Sequence, residues 1–200
     1  MLKELAPLPI LGILAAWCLS RTRREYREAA QLSVSTAVGV WFLYGLHGAV
    51  TLVAAIETRG ELPLGMGCAL PVGLGLASLG IVLFAGGVVA FRSLRRMSGR
   101  DATELITSGM HRWSRNPQMV GWGLLLTGIS LAGRSGLALL WTALYWLSFR
   151  AYLPIEEAFL RQRYGEAYVH YCAMTPRYLG WPRSRRGRCA EEAGPRSRSR

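Results

Sequence analysis

Two clusters in this 200-residue chain hold side chains of types that could do chemistry. The first is the adjacent pair Glu156-Glu157, with Arg150 before it and Tyr164, Tyr168 and Tyr171 after it. The carboxylates directly follow an apolar run, where a dehydrated interface and the negative end of a helix dipole both oppose them. A cation must therefore lie close. Arg161 is four residues after Glu157, in the favourable order for a helical pair, and is its local partner. Glu156 has no such partner, which makes it the candidate for holding a cationic ligand. Arg150 either snorkels to the interface or faces a buried pocket. The tyrosines recur at i, i+4 and i+7, the stripe of residues that pack on one helix face.

The second cluster lies in residues 105–123, where Arg112, Trp113, Arg115, Asn116, Pro117 and Gln118 lead into an apolar stretch. Pro117 suits the first turn of a helix. Gly121 and Gly123 leave the backbone open to close approach. The same residues would also make an interfacial anchor, with Trp and Arg at the head groups and small residues packing helix on helix. Just upstream, Asp101-x-x-Glu104 follows the breaker Ser98-Gly99-Arg100 and has the form of a capping box that opens a short helix. Metal or disulfide chemistry is not expected. Cys18, Cys68, Cys172 and Cys189, like His47, His111 and His170, are scattered with no close pair.

The elements that must position these residues are apolar. Half the chain (51%) is hydrophobic and 18% is charged, against about 25% charged in an average soluble protein. The apolar residues are bunched into Leu5–Ser20, Leu32–Ile56, Val72–Phe91, Met119–Gly133 and Leu137–Ile155. A membrane span needs about 20 apolar residues; the second and third stretches meet this comfortably, and the first and fourth are short. The first lacks a signal peptide's basic start and cleavage site, and reads as a retained helix. Gly133-Arg134-Ser135-Gly136 is a turn sequence suited to a tight helical hairpin between the last two.

Charge placement tests this map. Of 24 Lys and Arg, four lie in 21–31, six in 92–117 and ten in 156–200, while Lys3, Arg59 and Arg134 fall on the other side and Arg150 within a span. Alternate loops are basic, as the positive-inside rule requires for five spans with the N-terminus outside and the C-terminus in the cytoplasm. The net charge of +12 is thereby accounted for without nucleic acid. A bilayer forces helices, so the expected fold is all-α: a polytopic integral membrane helical bundle of about five transmembrane helices ending in a helical hairpin and a cytoplasmic segment. The expected location is a bacterial plasma membrane. Three regions are expected: 1–91 as N-terminal transmembrane helices, 92–181 as a core of cytoplasmic connector, helical hairpin and C-terminal cytoplasmic segment, and 182–200 as a disordered Arg/Ser-rich tail able to cling to anionic lipid.

Taken together, the two clusters resemble the membrane methyltransferases that include isoprenylcysteine carboxyl methyltransferases and phospholipid N-methyltransferases. The family pattern runs T-S-G-x-Y-x-x-x-R-H-P-x-Y-x-G, then a two-helix hairpin, then E-E-x-x-L-x-x-x-(F/Y)-G-x-x-Y-x-x-Y and a final P-R. This chain supplies Thr107, Ser108, Gly109, Arg115, Pro117 and Gly121, then Glu156, Glu157, Leu160, Tyr164, Gly165, Tyr168, Tyr171, Pro176 and Arg177. The resemblance covers residues 103–178; the first 90 match only as generic membrane helices.

The resemblance implies S-adenosylmethionine (AdoMet) as methyl donor, contacted at Leu105, Ile106, His111, Asn116, Pro117, Gln118, Met119 and Glu156, with Gly121, Gly123 and Glu157 added in the phospholipid enzymes. It implies a small or lipid-soluble acceptor (carboxylate, thiol or amine) reaching the methyl from between helices. The family arginine that meets the acceptor falls at Tyr152, with Arg150 two residues out of register, so these two are the candidates for positioning the acceptor. His111, Asn116 and Met119 stand where the family has Tyr, His and Tyr. Two other readings remain open: an NADPH-dependent reductase of the sterol or steroid type, and a non-catalytic family member.

Overall fold

The computed structural model describes residues 6–29, 31–91 and 104–182. Six α-helices and one 3-10 turn make up the regular structure among them: α1 (Pro7–Glu28), α2 (Val34–Glu57), α3 (Met66–Ala90), the turn Gly109–Arg112, α4 (Pro117–Gly133), α5 (Gly136–Tyr164) and α6 (Glu166–Met174). The expected all-helical architecture is present. By length and composition α2 and α3 are able to cross a membrane. The breaker Ser98–Asp101 and the tail from residue 183 lie outside the described residues. From Glu104 to Ser108 the chain is not helical, and the 3-10 turn that follows spans Gly109–Arg112.

Two boundaries differ from the apolar runs. α1 does not stop at Ser20 but continues through Arg21, Arg23, Arg24 and Arg27 to Glu28. Paired side chains support this extension, with Arg21 and Glu25 3.1 Å apart and Arg24 and Glu28 3.0 Å apart. Glu25 also accepts from Ser33 N and Ser33 Oγ (both 2.8 Å) and Thr36 Oγ1 (2.7 Å), which pins the corner into α2. The second difference is α5, which runs through Pro154 and past Ile155 for more than two further turns. Glu156 and Glu157 therefore sit inside a helix, not at its negative end. The dipole no longer opposes them; burial does.

The hairpin at Gly133–Gly136 forms as its residues suggest. Arg134 takes the left-handed conformation (φ 51°) that ends α4, and the Ser135 side chain caps α5 by accepting from Ala138 N at 3.0 Å. This turn binds the α2–α3 loop: Gly60 N donates to Gly133 O and Leu62 N to Arg134 O, both at 2.9 Å. At the opposite end the C-terminus of α1 meets that of α5, with Tyr26 stacked on Phe159 at 4.1 Å.

α3 and α4 make the closest contact. Gly73, Gly80 and Gly87 recur every seven residues on α3 and face Gly128, Gly121 and Gln118 of antiparallel α4. A Cβ at Gly80 would lie 2.5 Å from Leu125 N and 2.6 Å from Gly121 O. Small residues let backbones approach this closely, as in helices packed within lipid. The outer surface is apolar: Ile10, Ile13, Phe42, Ile56, Ile81, Val89 and Leu147 are exposed. The interior, conversely, buries Thr22, Thr36, Thr51, Ser114 and Ser130 completely. So apolar an outer surface, with polar side chains taken inside, is the distribution expected of a chain whose surroundings are lipid.

Candidate functional site

One cavity of about 260 Å³ lies where α5, the 104–119 connector and α6 meet the adjoining halves of α1 to α4. Its polar end is formed by Glu104, His111, Arg115, Asn116, Gln118, Glu156 and Glu157. Its apolar end is formed by Trp41, Tyr44, Phe84 and Trp122. The connector and the C-terminal segment are laced together above the polar end. Arg115 N donates to Pro176 O and Gly180 N to Trp113 O (both 3.0 Å), Asn116 Nδ2 donates to Arg177 O (3.2 Å), and Tyr171 Oη donates to His111 O (2.7 Å).

The two carboxylates are treated unequally. Glu157 is buried and accepts from Arg177 Nε (2.9 Å) and Nη2 (2.5 Å), with Arg115 Nη1 at 3.1 Å from the same carboxylate. The pairing with Arg161 expected from helical spacing does not form. Residues from outside the helix take Glu157 instead, because it points inward at the connector. Glu156, one residue before it, lines the cavity, and among the described residues no basic side chain is paired with it. Burial, and after it the neighbouring Glu157 carboxylate, pushes its carboxyl up to about 7. Burial likewise holds His111 down to about 4, so its imidazole is neutral.

Other buried polar atoms of the wall have no partner: His111 Nδ1, Arg115 Nε, Gln118 Oε1 and Trp122 Nε1. Buried unpaired groups are costly, and four around one cavity mark a place built for a polar ligand.

Of the residues singled out from sequence, the cavity brings together Leu105, Ile106, His111, Asn116, Gln118, Met119, Tyr152, Glu156 and Glu157. It leaves out four. Pro117 opens α4 and packs on Gly87. Gly121 faces Gly80 and Phe84 of α3, and Gly123 faces the Trp146 ring, so their openness serves helix packing. Arg150 is exposed and takes no part in this cavity's wall. At 100° per residue it lies on the far side of α5 from Tyr152 and Glu156. The tyrosine stripe is split between two helices by Gly165 (φ 52°), yet Tyr164, Tyr168 and Tyr171 all reach the cavity wall.

Sequence reading did not find Tyr26, Trp41, Tyr44, Phe84 or Trp122. They are aromatics within or beside apolar runs, and nothing in their spacing separates them from lipid-facing neighbours. Their contribution also means that the cavity is not confined to residues 92–181.

Residues 69–167 match the model of a family described as phospholipid methyltransferase. That stretch is similar to the phospholipid methyltransferases. The match reaches back into α3, which the motif resemblance had left as a generic helix, and includes Glu156 and Glu157. It stops short of Arg177, the residue that clamps the matched region to its C-terminal segment. Two relatives, both described as probable protein-S-isoprenylcysteine O-methyltransferase, come from Oryza sativa subsp. indica and subsp. japonica. Each is 31% identical over 105 residues, covering 50% of this chain. The chain spans about half (55%) of the length of each. No solved structure matches.

Proposed function

We propose that this chain is an AdoMet-dependent integral membrane methyltransferase acting on a small or lipid-soluble acceptor. One observation carries the reading: of two adjacent carboxylates in a single cavity, Glu157 is neutralised by arginines and Glu156 is left for a cation. AdoMet carries an ammonium and a sulfonium, and a desolvated carboxylate is stable as an anion only beside such charge. The remaining wall suits the molecule. Gln118 Oε1 and His111 Nδ1, both without partners, can serve its polar edges. Tyr44, Tyr152 and the Tyr164–Tyr171 rings offer faces to a sulfonium.

Bound there, AdoMet supplies an electrophilic methyl on sulfur. The chain contributes alignment and the exclusion of water, which can supply much of the rate of an in-line displacement. Glu156 gives up its proton and holds the cationic end in one orientation. The Arg115–Glu157–Arg177 clamp keeps the connector and the C-terminal segment closed over that end. Trp41, Phe84 and Trp122 line the apolar end, where an acceptor arriving from the bilayer would lie. Tyr152 lines the wall at the family's acceptor-positioning place. Leu105, Ile106, Asn116 and Met119 complete the cofactor side, while Gly121, Gly123 and Pro117 support it from behind through the α3–α4 contact.

The test is titration of the detergent-solubilised full chain with S-adenosylhomocysteine, with NADPH as control. Binding in the micromolar range, on the order of −8 kcal/mol, is expected for the first and none for the second. Glu156→Gln should abolish it with helical content unchanged. Preference for NADPH, or undiminished affinity in Glu156→Gln, would overturn the proposal; binding of neither would make the chain a non-catalytic member of its family.

A further inference from the structure

A second cavity of about 130 Å³ lies between α1, α2 and α5, on the far side of Tyr44 and Tyr152 from the first. Val40, Tyr44 and Tyr152 line both, so these residues form the partition between them. Its wall runs along α1 from Leu8 to Thr22, which is roughly 20 Å of helix at 1.5 Å per residue. The cavity is a slot parallel to the helices. Leu8, Leu11, Leu19, Leu43 and Leu144 give it an alkane-like lining. It holds no Asp, Glu, Lys or Arg, so a charged molecule would find no compensation there.

Besides Tyr44, Tyr145, Ser148 and Tyr152, three side chains bring unpaired polar atoms to this wall. His47 (7% exposed), Trp141 (1%) and Thr22 (0%) belong to this wall. Each buries polar atoms without a hydrogen-bond partner: both ring nitrogens of His47, Trp141 Nε1 and Thr22 Oγ1. The main chain of Trp141 runs close to the His47 ring, short of hydrogen-bond geometry. The His47 and Trp141 rings meet edge to face at 6.1 Å, which sets a donor-only indole beside an imidazole that both donates and accepts.

Water alone would satisfy the unpaired polar atoms but leave the apolar length of the slot, along Leu8, Leu11, Leu19, Leu43 and Leu144, unfilled. An alkyl chain alone would leave the imidazole and indole unpaired. From this combination we infer that the α1–α2–α5 slot is a binding site for a neutral single-chain amphiphile, such as a fatty or prenyl alcohol. Its uncharged oxygen accepts from Trp141 Nε1 and bonds His47, and its chain lies along α1. The slot stands whether or not the neighbouring cavity binds AdoMet.

The experiment uses the full chain in nanodiscs and two photoreactive probes, a diazirine-bearing dodecanol and the matching diazirine-bearing dodecane. Labelled peptides are mapped by mass spectrometry. Labelling of segments 8–22 and 141–152 by the alcohol should exceed that by the hydrocarbon several-fold and be competed by plain dodecanol. Trp141→Phe keeps the ring and removes the N–H, so it should weaken alcohol labelling about five-fold, the worth of one hydrogen bond. His47→Phe should do the same. If one variant fails to fold, the other decides. Unchanged S-adenosylhomocysteine affinity in Trp141→Phe separates this site from the first cavity. Equal labelling by both probes would show a groove without head-group recognition and overturn the inference. Absence of label from α1 and α5 would overturn it as well, leaving the slot to water.

Discussion

At the scale of single residues, the pair Glu156-Glu157 shows how one helical step separates two roles. Glu157 turns into the connector and is tied to Arg115 and Arg177; Glu156 turns into the cavity. Because burial and then Glu157 raise the Glu156 carboxyl to about 7, it is largely protonated below neutral pH and an anion above it. A cation bound beside it favours the anion, so binding releases a proton. AdoMet affinity should therefore rise through neutrality, gaining up to tenfold per pH unit below about 7 and levelling off above it. Titrations in buffers across that range would show this, and a flat profile would remove Glu156 from the role. His111, held near 4, should add no second step in that range. Glu157→Gln should behave differently. It leaves two arginines, one of them largely buried, without an anion, at a cost of about 3 kcal/mol. The visible effect should be a lower Tm and faster hydrogen exchange in 109–118 and 171–181. Arg177→Ala should cost less, because Arg177 is nearly half exposed.

At the scale of elements, the seven-residue recurrence of glycine on α3 matters more than any single contact. The spacing was in the sequence, but it gains meaning only when α4 presents Gly121 and Gly128 to it. Gly80→Leu places a side chain against the α4 backbone and should cost 3 kcal/mol or more, about the upper range for overpacking. Gly75→Leu, five residues earlier where an added Cβ meets nothing, should be nearly neutral. Thermal unfolding in detergent would compare them; equal loss would mean that the seam carries no special load. Helix ends, by contrast, were poorly legible from hydropathy. α1 and α5 run beyond their apolar stretches because arginine–carboxylate pairing and contact with neighbouring helices continue to favour helix where lipid no longer does.

At the scale of the molecule, the loops form two groups. The α2–α3 loop is bonded to the α4–α5 turn, while the connector is bonded to the C-terminal segment, with the Tyr26–Phe159 stack at that same end. Such alternation is what the asymmetry of basic residues demands of a chain threaded through a bilayer. In a cysteine-free background, a cysteine at Arg59 should react with impermeant maleimide only from outside, and one at Tyr178 only from the cytoplasmic side. Reaction of the first from the cytoplasmic side would overturn the five-span topology. The sequence by itself determined the helical class, the hairpin at Gly133–Gly136, and the two stretches that hold Asn116, Gln118, Glu156 and Glu157. These follow from local patterns: apolar runs, turn residues, and charge at the ends of spans. Only the tertiary structure decided that Glu157 pairs with Arg115 and Arg177 rather than Arg161, and that Gly121 and Gly123 pack helices. It also placed Arg150 outward and drew Tyr26, Trp41 and Phe84 into the cavity wall. Those outcomes depend on which face each helix turns toward residues far away in the chain. In a lipid-soluble bundle an aromatic is equally at home on either face, so hydropathy carries no signal to choose between them.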